Sequence, residues 1–237
     1  MAIKSFAKIQ ERAAERKGGR DALAQLVPPA PDLSALAQLG DDRILAAMAK
    51  CIFRSGFVWR VIDHKWPGFE AAFLAFQPGP LCFQPDEFWH DLASDKRIVR
   101  HAQKIRAVHA NALFVQDIAA QHGSFGAFLA AWPQDDQVGL MAFLSKRGSR
   151  LGGATGQYFL RMVGWDAFIL SRDVVAAIRD AGIDVADMPT SKGDRAKIQA
   201  QFNVWRKQSG LTGVQMSRIL ALSIGENYDQ TVSPEAD

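Results

Sequence analysis

The chain has 237 residues, of which 48% are hydrophobic and 22% are charged. This composition is typical of a soluble globular protein, and the length allows a full core in one domain or two small ones. The two cysteines, Cys51 and Cys82, exclude a disulfide framework and a four-cysteine zinc site. No apolar run approaches the roughly 18 residues that a membrane-spanning helix needs. The net charge of +3 is too small to indicate a nucleic-acid partner by itself.

The first segment of the chain is basic and amphipathic. Over residues 1–27, Phe6, Ile9 and Ala13 follow the spacing of one helix face, which predicts a charged helix that ends at the prolines after residue 27. Residues 1–31 are therefore predicted to be an N-terminal helical extension. The segment lacks the continuous apolar core of a secretory signal, so we expect a cytoplasmic protein, associated with the nucleoid if the source is bacterial.

The rest of the chain also has a helical pattern. Residues 32–226 are expected to form one domain, followed by a flexible tail at 227–237. Apolar residues recur at helical spacing and strand-like alternation is absent, so we predict an all-α fold of about nine to eleven helices. One long helix is predicted from residue 96 to residue 120, and Pro67 with Gly68 predicts a break between two others.

A turn rich in glycine and arginine lies between two predicted helices at about residues 144–160. Its glycines allow positive φ angles and a close approach of another chain. The free N–H groups and the dipole at the start of the following helix favour a bound phosphate. The alternative is an ordinary turn between two helices. The residues predicted to bind a nucleic-acid backbone here are Arg147, Ser149, Arg150, Gly152, Gly153 and Thr155.

Three segments carry recognisable motifs. Residues 49–78 contain GFVW at 56–59 and FEAAFLAFQP at 69–78, and residues 98–112 read IVRHAQKIRAVHANA. These segments resemble the Gly-Leu-Ser-Trp, Phe-x-x-Phe-Asp-Pro and Arg-His-x-x-Lys elements of the DNA-3-methyladenine glycosylase I family. The stretch GGATGQYFLRMVGWDAFILSRDVV, which begins at Gly152, resembles the wider helix-hairpin-helix DNA glycosylase superfamily. The resemblance covers about residues 41–178 and implies a multi-helix glycosylase that acts on double-stranded DNA with a damaged base.

The resemblance implies a pocket for an extruded base. Trp59 stands where the family's tryptophan lines that pocket, so it would stack on the base. The alternative is a core tryptophan packed against Phe69 and Phe73. Gly56 and Phe57 match the loop that probes the gap left by the flipped base, where Phe57 is either a wedge or a core residue.

The family helix contributes four matched residues. A spacing of four predicts that Arg100 and Lys104 share a face. With Asn111, they would either contact phosphate or hold the helix and its loops together, and the structural role is favoured. His101 has no second histidine or cysteine at a ligand spacing, so it is predicted to be a hydrogen-bonding residue.

The sequence departs from the family at several positions. Cys51 stands where the family has an acidic residue that recognises methylated adenine, and a thiol cannot supply a carboxylate's charge. Cys51 is nevertheless predicted to line the base pocket with Trp59 and Phe57. The family's N-terminal tyrosines and its zinc ligands have no counterparts, including a histidine where Asp173 now stands. We therefore predict no metal and no other cofactor.

Asp173 is the predicted catalytic residue. It follows the hairpin by about one helix and a short apolar connection, where the superfamily has its catalytic aspartate. A carboxylate there would stabilise an oxocarbenium-like state or activate water. The alternative is that Ser171 caps a helix and Asp173 is a first-turn acid favoured by the dipole.

These observations predict a monomeric DNA glycosylase of base-excision repair that releases alkylated purines such as 3-methyladenine. Because no lysine was identified at a Schiff-base position beside the hairpin, we expect simple hydrolysis without strand cleavage. The missing acid at Cys51 motivates an alternative, a non-catalytic binder of damaged or distorted DNA. A third hypothesis is a helical protein whose basic N-terminal arm docks a partner. None of these functions involves a membrane.

Overall fold

The computed structural model describes residues 3–225. Within this range the chain has fourteen α-helices and no β-strand, so the all-α prediction is confirmed and the predicted number of about nine to eleven helices is too low. No helix in this range is long and apolar enough to cross a membrane. The helices are α1 (Phe6–Lys17), α2 (Arg20–Leu26), α3 (Leu33–Ala37), α4 (Asp41–Arg54), α5 (Trp59–Ala72), α6 (Pro78–Cys82), α7 (Asp86–Leu92), α8 (Ala102–His122), α9 (Phe125–Ala131), α10 (Gln137–Arg147), α11 (Gly153–Met162), α12 (Arg172–Asp180), α13 (Lys192–Ser209) and α14 (Gly213–Leu222).

The described residues form two compact units. The terminal unit comprises residues 3–31, Pro133–Gly139 and 166–225, and the central unit comprises Asp32–Trp132 and Leu140–Trp165. This division differs from the predicted extension at 1–31 and single domain at 32–226. The expected tail at 227–237 lies outside the described residues.

The N-terminal segment contributes to the core of the terminal unit. Phe6, Ile9 and Ala13 are buried on α1, as their helical spacing predicts. The ring of Phe6 lies 5.7 Å from that of Trp205 on α13. The indole N–H of Trp205 donates a hydrogen bond to the Lys4 carbonyl at 3.2 Å. Because these apolar side chains are buried, with Phe6 against Trp205 of α13, α1 is part of the core of the terminal unit.

Two predicted helix boundaries are wrong. The helix expected over residues 1–27 is divided at Gly18 and Gly19, where φ values of 87° and 117° suit glycine. The break expected at Pro67 does not occur, because α5 continues through this residue. The neighbouring Gly68 is required for packing instead, since a β-carbon there would lie 2.4 Å from the Arg97 carbonyl oxygen.

Helix α8 begins at Ala102, later than the predicted start at residue 96. His101 is the N-cap, and its Nδ1 accepts a hydrogen bond from the Lys104 N–H at 3.4 Å. Its predicted role as a hydrogen-bonding residue is therefore confirmed. Arg100 precedes the helix, so the prediction that it shares a helix face with Lys104 is wrong.

Helix α4 is the centre of the central unit. It packs against α8, α5 and α11. Near its end, the Phe53 ring meets the Phe69 ring of α5 edge to face, with 4.7 Å between ring centroids. This packing places the last turn of α4 beside the first turns of α11, where the candidate site is found.

Candidate functional site

A cavity of about 160 Å³ lies at the C-terminal end of α4 in the central unit. One wall comes from residues 51–59, and the other comes from residues 154–162 of α11. The predicted pocket residues Cys51, Phe57 and Trp59 all line it. A cavity of about 150 Å³ is enough to take up benzene, so this one is large enough for an aromatic ring.

The two walls of the cavity meet at a pair of aromatic side chains, Trp59 and Tyr158. Trp59 at the start of α5 is half-buried, and its ring meets the Tyr158 ring at 87° with 5.3 Å between centroids. Phe69 and Phe73 instead stack on each other with 6.1 Å between their centroids. Trp59 is therefore placed at the pocket and not among those core rings.

The sequence reading missed Tyr158. Burial raises the pKa of its hydroxyl, so the side chain is neutral at ordinary pH. Tyr158 follows Thr155 by three residues and precedes Met162 by four, so the three side chains share one face of α11. That spacing, together with the predicted hairpin, was the signal that could have identified it. Thr155 was predicted to bind a nucleic-acid backbone and also lines the cavity.

Cys51 forms the buried base of the cavity. It is 4% exposed, and its Sγ lies 3.9 Å from the Met162 sulfur. Burial raises its pKa to about 12, even though the positive charges of Arg54 and Lys50 act in the opposite direction. The thiol is therefore neutral at physiological pH. No group of three His, Cys, Asp or Glu side chains suited to a metal ion is found in residues 3–225.

Arg54 is a charged wall residue that the sequence reading also missed. Its guanidinium lies 4.9 Å from the centre of the Trp59 ring. Its Nη2 donates to both carboxylate oxygens of Asp63, at 2.6 and 2.7 Å. Lys50 also pairs with Asp63, at 3.1 Å. Burial raises the pKa of Asp63, but the hydrogen bonds from Arg54 and Lys50 outweigh it and lower the pKa overall.

The loop after α4 forms the rim of the cavity. Gly56 has a φ of 73°, a left-handed conformation that suits glycine. Phe57 is 37% exposed, so the alternative of a core residue does not apply to it. Its ring lies edge-on to His101, with 6.2 Å between centroids.

Lys104 holds the rim loop in place through contacts with its backbone and with Phe57. Its ammonium group donates to the carbonyl oxygens of Phe53 and Ser55, and it lies 4.4 Å from the centre of the Phe57 ring. These contacts agree with the structural role that the sequence favoured. Burial lowers the pKa of Lys104 to about 8, and the positive charge of Arg150 acts in the same direction.

The predicted hairpin joins α10 to α11, and its backbone is held by α8. Asn111 on α8 is fully buried and forms hydrogen bonds to both backbone groups of Ser149. Gly156 allows α11 to approach the turn, because a β-carbon there would lie 2.3 Å from the Leu151 carbonyl oxygen. The structure therefore contains a helix-hairpin-helix element with a fixed turn.

The predicted backbone-binding residues are on the surface of this element. Arg147 and Arg150 are exposed and pair with Asp117 and Gln103 of α8. Gly153, the first residue of α11, is exposed, and a β-carbon there would meet nothing within 4 Å. The start of α11 is therefore open to a ligand.

Asp173 belongs to the terminal unit, whereas the cavity belongs to the central unit. It lies in the first turn of α12, and the Ser171 hydroxyl accepts a hydrogen bond from the Val174 N–H at 3.3 Å. The cap predicted at Ser171 is thus confirmed. The Asp173 carboxylate lies beside Gly225, where a β-carbon would be 2.8 Å from Oδ1. The catalytic role of Asp173 stays a prediction.

Comparison with known proteins adds a family match. A family model described as methyladenine glycosylase matches residues 36–142. A solved 3-methyladenine DNA glycosylase I from Staphylococcus aureus is 23% identical over 53% of this chain and 77% of its own, with a TM-score of 0.47. A second structure of a 3-methyladenine DNA glycosylase I is 20% identical over 61% of this chain and 87% of its own, with a TM-score of 0.48. An 8-oxoguanine glycosylase/lyase of Methanocaldococcus jannaschii, in complex with DNA, is 13% identical over 91% of this chain and 96% of its own, with a TM-score of 0.49. No curated protein matches the chain.

The matched span contains both segments on which the sequence resemblance rested. It includes α4, the rim loop and α5, which form one wall of the cavity, and it includes α8, which holds the rim and the hairpin. It ends within α10, before the hairpin turn and before Asp173. The predicted resemblance is confirmed over residues 36–142, which match the methyladenine glycosylase family model.

Proposed function

We propose that the chain is a DNA glycosylase of base-excision repair. It hydrolyses the N-glycosidic bond of a damaged purine in double-stranded DNA, and the family points to alkylated purines such as 3-methyladenine as the class. The observation that carries this proposal is the aromatic cavity at the end of α4, which lies within the segment matched by the family model. A base removed from the helix must be held by stacking and by contacts to its edge.

The base would enter the cavity beside Trp59 and Tyr158. The Trp59 ring would stack on the base, which is worth about 1–3 kcal/mol per base. Phe57 is exposed at the rim, as a side chain that fills the gap left in the helix must be. Gly56 gives this loop its left-handed turn. Cys51 and Thr155 would contact the edge of the base.

The hairpin would hold the DNA backbone. The open N-terminus of α11 at Gly152 and Gly153 suits a phosphate group, and Ser149 offers a hydroxyl beside it. Arg147 and Arg150 now pair with exposed neighbours, and such surface pairs contribute only about 0–1 kcal/mol. Both arginine side chains can therefore exchange these partners for phosphate oxygens at little cost in free energy. One copy of the chain supplies all these groups, so the proposal requires only a monomer.

Asp173 is proposed to act at the sugar, where a carboxylate stabilises positive charge or activates water. This can be tested by measuring free-base release from methylated duplex DNA. Asp194 provides a matched control, because it also lies in the first turn of a helix capped by serine. Asp173→Asn is expected to lower release by about 10²-fold or more, with DNA binding retained, whereas Asp194→Asn is expected to leave release unchanged. Equal release by both variants would mean that Asp173 is only a first-turn residue of α12 and has no part in catalysis.

A second candidate function is a non-catalytic binder of damaged DNA. The observation that favours it is the lining of the cavity, which contains a thiol at Cys51 and no carboxylate among its residues. The same experiment distinguishes the two functions. A binder would prefer methylated to unmethylated duplex and would release no base.

A further inference from the structure

The charges around the cavity point to a narrower class of base. Two cations, Lys50 and Arg54, share the single carboxylate of Asp63. Cys51 and Tyr158 are neutral, because burial raises the pKa of each. The side chains that line the cavity therefore bring a positive charge and no negative one.

Arg54 also has a hydrogen-bond donor that is not in use. Its Nη2 is committed to Asp63, but its Nε is buried and has no hydrogen-bond partner within residues 3–225. An unpaired buried donor is costly and is normally satisfied by a partner. The guanidinium lies over the Trp59 ring and Arg54 lines the cavity, so this cation is near a base that enters there. An acceptor on the base, such as a carbonyl oxygen or a ring nitrogen, would accept a hydrogen bond from this guanidinium.

The charge on the leaving base decides whether this cation helps or hinders. When water adds to the sugar carbon and the N-glycosidic bond breaks, the bonding electron pair stays on the base and the water loses a proton to solvent. An uncharged base thereby develops negative charge, and a fixed guanidinium stabilises it. A purine alkylated at N3 or N7 is already cationic in DNA and becomes neutral as it leaves. A positive pocket repels that base before the reaction and gives it no advantage afterwards.

We propose that this cavity selects purines that are uncharged in DNA and carry an acceptor on the edge, such as oxo or O-alkylated purines, over purines that are cationic. Arg54 is the residue that contacts the acceptor. The proposal rests on the glycosylase function proposed above and changes its substrate class, from cationic purines such as 3-methyladenine to uncharged ones. Cys51 stands in place of the family's acidic residue, and this replacement reverses the charge preference of the pocket.

The test uses a set of duplexes that differ in one base. Each contains 7-methylguanine, 3-methyladenine, O6-methylguanine, 8-oxoguanine or hypoxanthine, and both release and binding are measured for each. The wild type is expected to release at least one of the last three about tenfold or more faster than either cationic base. A faster release of the cationic bases would overturn the charge preference and leave the glycosylase function standing. No release of any base would overturn the glycosylase function, and binding to the same duplexes would then decide the charge preference.

Variants of the pocket separate Arg54 from general DNA affinity. Arg54→Gln is expected to lower release of the uncharged bases about tenfold to a hundredfold, and Arg54→Lys is expected to restore part of it. Arg60→Gln removes the same charge from an exposed neighbour and should weaken all duplexes equally. Cys51→Glu should shift the preference toward the cationic bases. Thermal melting checks that each variant is folded, and an equal effect of Arg54→Gln on every duplex would overturn the role of Arg54.

Discussion

Asn111 and Ser149 are joined by two hydrogen bonds that connect α8 to the hairpin turn. The Asn111 Nδ2 donates to the Ser149 carbonyl at 3.0 Å, and the Ser149 N–H donates to the Asn111 Oδ1 at 2.8 Å. The asparagine side chain thus satisfies both backbone groups of a residue that has no helical partner. Because α8 also holds the rim loop through Lys104, one helix positions both elements proposed to contact DNA.

Asn111→Asp should disrupt the hairpin with little change in volume. The aspartate still accepts from the Ser149 N–H, but it places an oxygen against the Ser149 carbonyl in a buried site. We expect a loss of about 1–3 kcal/mol in unfolding free energy and weaker DNA binding. Asn203→Asp is the control, because Asn203 donates to a backbone carbonyl at an exposed site in the terminal unit. Unchanged DNA binding by a folded Asn111→Asp variant would contradict the role given to the turn.

Gly156→Ala should be destabilising even though alanine favours helices. A β-carbon at this position would lie 2.3 Å from the Leu151 carbonyl oxygen, so α11 would have to move away from the turn. We expect a loss of about 1–3 kcal/mol in unfolding free energy. Gly193→Ala is the matched control in the first turn of α13, where the nearest atom to a β-carbon is 3.9 Å away. If both substitutions stabilise the protein, α11 does not pack as closely against the turn at Gly156 as described.

The lowered pKa of Lys104 predicts a pH dependence of stability. Burial holds its pKa at about 8 in the folded protein, below the unfolded value of 10.5. Between these pH values the unfolded state binds more protons than the folded state, so the unfolding free energy rises with pH. Urea unfolding at several pH values from 7 to about 10.5 measures this rise. Lys104→Met should remove Lys104's share of it, and an identical pH profile in the two proteins would contradict the shift.

Trp59→Ala should weaken the preference for damaged DNA and leave affinity for undamaged duplex nearly unchanged. The side chain is half-buried, so the fold should survive its loss. For duplexes that contain a damaged base, we expect binding to be weaker by about 1–3 kcal/mol, measured by fluorescence anisotropy. Phe83→Ala controls for loss of an exposed aromatic in the same unit, since Phe83 is 86% exposed. Equal losses on damaged and undamaged duplex would place Trp59 outside the base pocket.

The sequence predicted those parts of the fold that depend on local pattern. Helical spacing identified the buried face of α1, and Ser171 was placed at a helix start by its neighbours alone. The membership of α1 in the terminal core was missed, because it depends on contact between Phe6 and Trp205, far apart in sequence. Pro67 was read as a break because local propensity disfavours proline within a helix, yet the surrounding aromatic packing keeps α5 continuous.

The candidate site was predicted in part for a similar reason. The motif around Trp59 and Phe57 directed attention to one wall of the cavity. The opposite wall needed the fold, because Tyr158 reaches Trp59 only when α11 packs against α4. Arg54 was missed since its partner, Asp63, is on the next helix, and nothing in the local sequence indicates a charged pocket wall.

The most direct test of the account is the state of the DNA strand after reaction. Duplex with a single damaged purine is incubated with the chain, and strand breaks are measured before and after alkali. Because hydrolysis leaves an abasic site, we expect an intact strand that breaks at the lesion only after alkali, and no chain trapped on DNA by borohydride. A strand that remains intact after alkali for every lesion would contradict the proposed function. Breakage before alkali, with covalent trapping, would replace simple hydrolysis by lyase chemistry.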